Sequence, residues 1–313
     1  MDESICISLK KFHIVTDSSD PTCLVEKGSC IVNLVLGIII IGLNGVVMKR
    51  FLSRSSIQKN IGNMLFMQQA VVDSLNAGYA LVNSVETVSP CLVRFIDSEN
   101  KLRLRHVSIF LFNCSAFASV FTLSLISLER LLSVWKPVLH RNKVQQNCIK
   151  RLIALLWIVS LVMSLLYIAI STVARNGTLS CKDFRIIGEF YYWVYFIFAV
   201  SIAPIFLGTF LVAKNAVKRL ERNGNVDLQR KTKNEFKLIK IFSIMYFGFL
   251  LSTLPILCIR YVNGIPPTSA AAGHHIWRVM LILTSIFNPL LTLSSREDFK
   301  RKTFRSNNLY ELK

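Results

Sequence analysis

Seven long apolar stretches alternate along the chain with short segments rich in Lys and Arg. They fall at roughly Cys30–Met48, Ile61–Thr87, Val107–Leu128, Leu152–Val173, Phe190–Ala213, Leu238–Tyr261 and His275–Leu293. A helix needs about 20 mostly apolar residues to cross the hydrocarbon core of a bilayer. The pattern therefore predicts an all-α membrane protein, a bundle of seven transmembrane helices (spans 1 to 7). Residues 1–28 read as a polar tail, 29–294 as the bundle, and 295–313 as a short amphipathic helix and tail in which Phe299 and Phe304 sit among Arg and Lys. Pro90 is expected to end span 2, and a Gly/Pro loop over Gly264–Gly273 to precede span 7. Pro204 and Pro255 interrupt spans 5 and 6 and should kink them.

Composition narrows the class. The 313 residues are 52% hydrophobic, with a mean hydropathy of +0.48 and a net charge of +19. Such a charge fits nucleic acid or a membrane surface, and the seven apolar runs decide for the membrane, with no nucleic acid as partner. The opening residues MDESICISLKKF lack a continuous apolar run, so span 1 is expected to act as the targeting signal. Eight cysteines stand at 6, 23, 30, 91, 114, 148, 181 and 258, without the spacing of a metal site. No nucleophile–base pair or metal constellation suggests an enzyme.

Charge also sets an orientation. Of the 37 Lys and Arg, 24 fall in segments 49–59, 136–151, 214–240 and 296–313, and 12 on the opposing side. The positive-inside rule puts the N-terminus outside and the C-terminus in the cytoplasm. Asn176-Gly177-Thr178, a glycosylation sequon, agrees, because it is useful only on the outer side.

Ionisable and polar groups inside a bilayer are costly and are functional candidates by default. Asp73 sits in the middle of span 2. Ser119 lies eleven residues before Arg130, about three helical turns, so the two share a face of span 3. Ser119 is therefore about 16 Å deeper in the membrane than Arg130, the depth expected for Asp73. Ser285 and Asn288 are three apart in span 7 and face one way. Together with Asn44 of span 1 they form a candidate buried polar cluster. It is either a hydrogen-bonded network that fixes packing or a hydrated cavity able to hold a sodium ion or a proton.

Span 3 ends in Glu129-Arg130, followed by Lys136-Pro137. Glu235 stands at the start of span 6. If spans 3 and 6 are neighbours, Arg130 and Glu235 can pair in one arrangement of span 6 and separate in another. Phe249, six residues before Pro255, is placed to pack against Pro204 and Val120.

With one landmark per span, in order, the chain resembles the rhodopsin-like (class A) G-protein-coupled receptors over residues 29–305. The landmarks are Asn44, Asp73, Glu129-Arg130 with Pro137, Trp157, Pro204, Pro255 and Asn288-Pro289. The resemblance implies a plasma-membrane receptor that passes the binding of an extracellular ligand to a heterotrimeric G protein. It implies a sodium pocket at Asp73, Ser119 and Asn288, an ionic lock of Arg130 with Glu235, and a G-protein contact loop holding Val138. The chain departs from the family at Leu131, Val212 and Thr292, where tyrosines are usual, and at Thr253 in place of a tryptophan. The family's disulfide partner in span 3 is replaced by Arg105, which leaves Cys181 to pair with Cys91, or with Cys6, Cys23 or Cys30. Phe112 stands where amine receptors carry an aspartate, which argues against a biogenic amine. Arg105, His106, Arg260 and Arg278 at the outer ends suit an anionic small molecule or a peptide terminus, or they snorkel to the membrane edge. The other readings are a seven-helix membrane protein with weak or no signalling, and a transporter or channel.

Overall fold

A computed structural model describes residues 21–53, 61–92, 98–135, 146–175, 190, 193–194, 196–198, 200–222, 236–237, 239–252 and 267–295. Apart from turn positions at Ile202 and Ser53, all of these are helical. The helices are α1 (Pro21–Leu52), α2 (Ile61–Leu92), α3 (Ser98–Trp135), α4 (Gln146–Arg175), α5 (Ala203–Arg222), α6 (Ile239–Ser252) and α7 (Pro267–Ser295). Among the described residues, four stretches are long and apolar enough to cross a membrane: Cys30–Leu52, Leu102–Ser133, Asn147–Val173 and Phe196–Lys218. The polar residues that α2 carries at mid-length, Gln68, Gln69, Asp73 and Asn76, dilute its apolar character.

The helices extend beyond the expected boundaries at several ends. α1 begins at Pro21, inside the stretch read as a tail. α2 continues through Pro90 to Leu92. α7 begins at Pro267, so most of the anticipated Gly/Pro loop is its first two turns. Proline is favoured in the first helical turn, where its missing N–H has no partner to lose. Residues 296–313 lie outside the described part, and with them the expected amphipathic helix.

Consecutive helices pack side by side, α1 on α2, α2 on α3, α3 on α4 and α5, while α7 returns to α1 and α2. α2 and α3 thus stand at the middle of these contacts. The outward faces are apolar: α4 exposes Leu155, Ile158 and Leu165, and α1 exposes Ile31 and Ile38. In water such faces would be aggregation sites; in a bilayer they are the lipid contact.

The main core lies toward the Arg130 end of the bundle. Phe66 of α2 stacks on Phe242 of α6 with ring centroids 4.6 Å apart, and Phe51 of α1 lies behind it at 6.5 Å. Phe206 of α5 stacks on Tyr246 of α6 at 4.5 Å. Ile126 and Val120 of α3 belong to the same cluster and are fully buried. α6 is held by aromatic contacts on two sides.

At the other end α1 and α2 are fastened by a reciprocal pair. The Cys30 thiol donates to the Ser84 carbonyl at 3.3 Å, and the Ser84 hydroxyl donates to the Cys30 carbonyl at 3.1 Å. Cys30 is buried as a free thiol, which removes it from the candidates for Cys181. Two turns further in, Gly37 lets the helices approach: a Cβ there would stand 2.9 Å from Leu81 Cδ2 and 3.3 Å from the Ala77 carbonyl oxygen. Gly37→Val is expected to overpack this seam by about 1–3 kcal/mol. It should lower the thermal midpoint in detergent by several degrees, and an unchanged midpoint would show that the seam yields freely.

Candidate functional site

Asp73 lies buried in the middle of α2, two per cent exposed, and is the centre of a polar network joining three helices. Asn288 of α7 donates from Nδ2 to both carboxylate oxygens, at 3.1 and 3.0 Å. Gln69, one turn before Asp73, donates from Nε2 to Oδ1 at 3.1 Å. An ionised carboxylate offers about four lone-pair sites, so acceptor capacity remains. Asn76 of α2 donates to the Ser285 hydroxyl at 2.9 Å and to the Leu281 carbonyl at 3.3 Å.

Asn44 has a specific task. Pro289 has no N–H, so the carbonyl four residues back, that of Ser285, loses its helical donor. The Asn44 amide supplies one from α1, at 3.5 Å, while also donating to the Ile40 carbonyl at 3.0 Å. Buried carbonyls demand partners, and an asparagine in an otherwise apolar span meets that demand.

Beside Asp73 is a cavity with about 20 Å³ open to the centre of a water-sized sphere, to which α3 contributes Ser115 and Ser119. That is room for one water molecule or a monatomic ion. Asp73, Ser119 and Ser285 line it, together with Gln69, whose buried Oε1 has no hydrogen-bond partner. Hard oxygen donors around a carboxylate suit a small hard cation. The residues present therefore fit a sodium ion, which would bring one positive charge to the buried carboxylate. The anticipated cluster of Asn44, Asp73, Ser119, Ser285 and Asn288 is gathered in one place. Gln69 and Asn76 belong to it as well; two polar residues spaced a turn either side of Asp73 were the signal for them.

A second centre is at the end of α3. Arg130 Nε donates to Glu129 Oε2 at 2.6 Å, and the two side chains are only 7% and 3% exposed. The pair is therefore a buried one, not a solvated mark at the membrane edge. Pro137, Val138 and Glu235 lie outside the described residues, so the expected contact of Arg130 with Glu235 does too. Leu131 is half-buried, and Thr292 is buried with its hydroxyl donating to the Asn288 carbonyl in its own helix at 2.8 Å.

Pro204 and Phe249 need a correction. Phe249 and Val120 join the same buried cluster, but Pro204 is exposed on the outer face of α5. The aromatic that α5 sends into that cluster is Phe206, two positions on. Pro204 acts on the backbone instead: the chain turns at Ile202 and α5 starts at Ala203, as expected where a proline removes a helical donor. Pro255 lies outside the described residues. Trp157 of α4 donates from its indole N–H to Gln68 Oε1 at 3.1 Å, joining α4 to α2.

Of the ligand candidates, Phe112 is half-buried, with its ring 5.0 Å from that of Tyr79, and it reaches the cavity wall. His106 is half-buried and Arg105 exposed further along α3. Arg278 falls in α7, whose side chains are described from Val279 on, and Arg260, Cys181 and Asn176 lie outside the described residues. Cys91 lies in the last turn of α2, with its side chain outside them too.

Residues 43–291 match the family model of the seven-transmembrane receptors of the rhodopsin family. The chain belongs to that family. It is a multi-pass membrane protein of a receptor family rather than an enzyme. Similar curated proteins include the adenosine receptor A3 of Bos taurus, 29% identical over 58% of this chain and 61% of that protein. Melanopsin of Podarcis siculus is 25% identical over 90% of this chain and 62% of its own. A Mas-related G-protein coupled receptor, member X2, of Trachypithecus francoisi is 26% identical over 48% and 44%. The aligned part spans about three fifths or less of these relatives. Squid rhodopsin has the same fold, with a TM-score of 0.67 at 18% identity over 92% of this chain and 87% of that one.

Proposed function

We propose that this chain converts the binding of an extracellular ligand into activation of a heterotrimeric G protein on the cytoplasmic side of the plasma membrane. The observation that carries the reading is the buried Glu129–Arg130 pair near the end of α3. An arginine held in this way is a group whose release changes what the cytoplasmic face presents. α6 is the element to move, and its stacking on Phe66 and Phe206 is what movement must break.

The ligand side is read from Arg105, His106, Arg260 and Arg278: an anionic small molecule or a peptide bearing a carboxylate, with Phe112 excluding a biogenic amine. The cavity beside Asp73 would take a sodium ion that favours the inactive packing of α2 against α7. Pro137 and Val138 would contact the G protein. The test is nucleotide exchange on purified G proteins with the chain in nanodiscs, wild type against Arg130→Ala. Catalysed exchange that the substitution abolishes is expected; equal exchange with and without Arg130 would dismiss the reading.

One observation favours a second reading. Thr292 uses its hydroxyl within its own helix, and Leu131 offers no hydrogen bond. Neither side chain has the reach of the tyrosine usual at its position, so a receptor-fold protein of weak signalling is the alternative, and the same exchange assay separates the two.

A further inference from the structure

Two cysteines stand at matched register positions on α1 and α2. These helices run antiparallel, and two contacts fix how they are aligned. A Cβ at Gly37 would stand 3.3 Å from the Ala77 carbonyl oxygen, and Cys30 and Ser84 exchange hydrogen bonds at 3.3 and 3.1 Å. From the first contact to the second is seven residues on each helix, Gly37 to Cys30 and Ala77 to Ser84. Seven residues make about two turns, and one such step turns a straight helix by only about 20° from the seam. The next step outward reaches Cys23 on α1 and Cys91 on α2. Both helices continue that far, since α1 begins at Pro21 and α2 ends at Leu92.

The seam is close at both contacts. Gly37 carries no side chain, and at Cys30 and Ser84 a short side chain of each helix reaches the other's backbone carbonyl. A disulfide needs such nearness, with Cα atoms less than about 7 Å apart. Cys30 does not compete for Cys91. It stands opposite Ser84, and Cys91 is two turns, roughly 10 Å, beyond that level. Cys114 and Cys148 are free thiols on α3 and α4. Cys30 also opens the apolar stretch of α1, so Cys23 falls two turns outside the hydrocarbon, where thiols meet water.

From this register we infer a disulfide between Cys23 and Cys91 that staples the first turn of α1 to the last turn of α2. It rests on the placement of this end of the bundle outside the cell, and not on coupling to a G protein. Disulfides form and persist on that side. The oxidant is a disulfide-carrying protein of the secretory compartment. The thiolate of one cysteine attacks that disulfide to give a mixed disulfide, and the thiolate of the other then displaces the donor's sulfur. Two electrons pass to the donor, which leaves as a dithiol carrying the two thiol protons. The bond removes freedom from the unfolded chain, and it commits Cys91 to α1 and away from Cys181.

The test uses the full chain expressed in animal cells, lysed in denaturant with N-ethylmaleimide and mapped by mass spectrometry without reduction. A peptide pair joined through Cys23 and Cys91 is expected, with Cys30 and Cys114 recovered alkylated. Cys23→Ser and Cys91→Ser should each lower the thermal midpoint by several degrees. The double substitution should lower it no further than either alone, because both remove the same bond. Should a variant fail to fold, the wild-type peptide map decides. An antibody to an N-terminal epitope, applied to intact cells, reads the orientation separately. With the epitope outside, Cys91 joined to Cys181, or Cys23 and Cys91 both alkylated, would overturn the bond. With the epitope inside, the orientation has failed, and copper phenanthroline oxidation of the purified protein tests the pairing by itself. A Cys23–Cys91 cross-link would then uphold the register, and its absence would overturn it.

Discussion

Glu129→Gln is expected to raise ligand-independent nucleotide exchange by about five- to thirtyfold. The pair it breaks is buried, and removing one partner of a buried ion pair commonly costs about 3–5 kcal/mol, because the remaining charge is left without compensation. That cost falls on the arrangement in which Arg130 is held against Glu129 at 2.6 Å. Only the part not shared by the activated arrangement shifts the equilibrium. If about 1–2 kcal/mol of it is differential, the active population rises by the stated factor, at tenfold per 1.4 kcal/mol. Basal exchange per folded receptor in nanodiscs is the measurement. Glu129→Asp, which keeps the charge on a shorter stem, should fall between wild type and Gln. A properly folded Glu129→Gln protein with wild-type basal exchange would mean that the pair is only structural.

Substitution of Asp73 is expected to separate stability from ion sensitivity. Asp73→Ala strips acceptors from the Asn288 and Gln69 amides, and each buried donor left unsatisfied costs about 1–3 kcal/mol. A fall of many degrees in the thermal midpoint should follow. Asp73→Asn keeps the shape and one acceptor oxygen, so most of the stability should survive. It loses the negative charge that a cation in the neighbouring cavity requires. Wild-type protein should melt higher in sodium chloride than in N-methylglucamine chloride of equal ionic strength, since a ligand that binds only the folded state stabilises it. Asp73→Asn should show no such difference. A sodium effect that persists in Asp73→Asn would remove the ion from this site, while the hydrogen-bond account of Asp73→Ala would stand.

Gln69 sharpens the second experiment. Its amide N–H donates to Asp73 while its buried carbonyl oxygen has no hydrogen-bond partner. A leucine there would pack equally well in an apolar span, but it would leave the carboxylate with one donor side chain fewer. The network is thus tighter than the five residues read from the sequence, and α2 supplies more of it than α3 or α7.

The chain by itself determined the number and position of the spans and the identity of the residues that do not belong in a bilayer. Both are local properties. Span length follows from the run of apolar side chains, and the cost of burying Asp73 or Arg130 is incurred wherever their helices stand. The family was legible for the same reason, since Asn44, Asp73, Glu129-Arg130, Trp157 and Asn288-Pro289 recur one to a span. The structure differs at Pro90, which α2 carries two residues before its end, and over Gly264–Gly273, where Pro267 opens α7 because a helix start tolerates proline.

Tertiary structure alone decided which faces meet. Periodicity shows that Ser285 and Asn288 share a side of α7, but not that this side turns to Asp73, 215 residues before Asn288. Phe66 and Phe242 are unremarked members of apolar runs until helix rotation brings their rings to 4.6 Å. Pro204 shows the converse, an expected core residue that the rotation of α5 turns outward in favour of Phe206. The rotation of each helix about its axis is set by packing against all its neighbours at once, and no single stretch of sequence contains that sum.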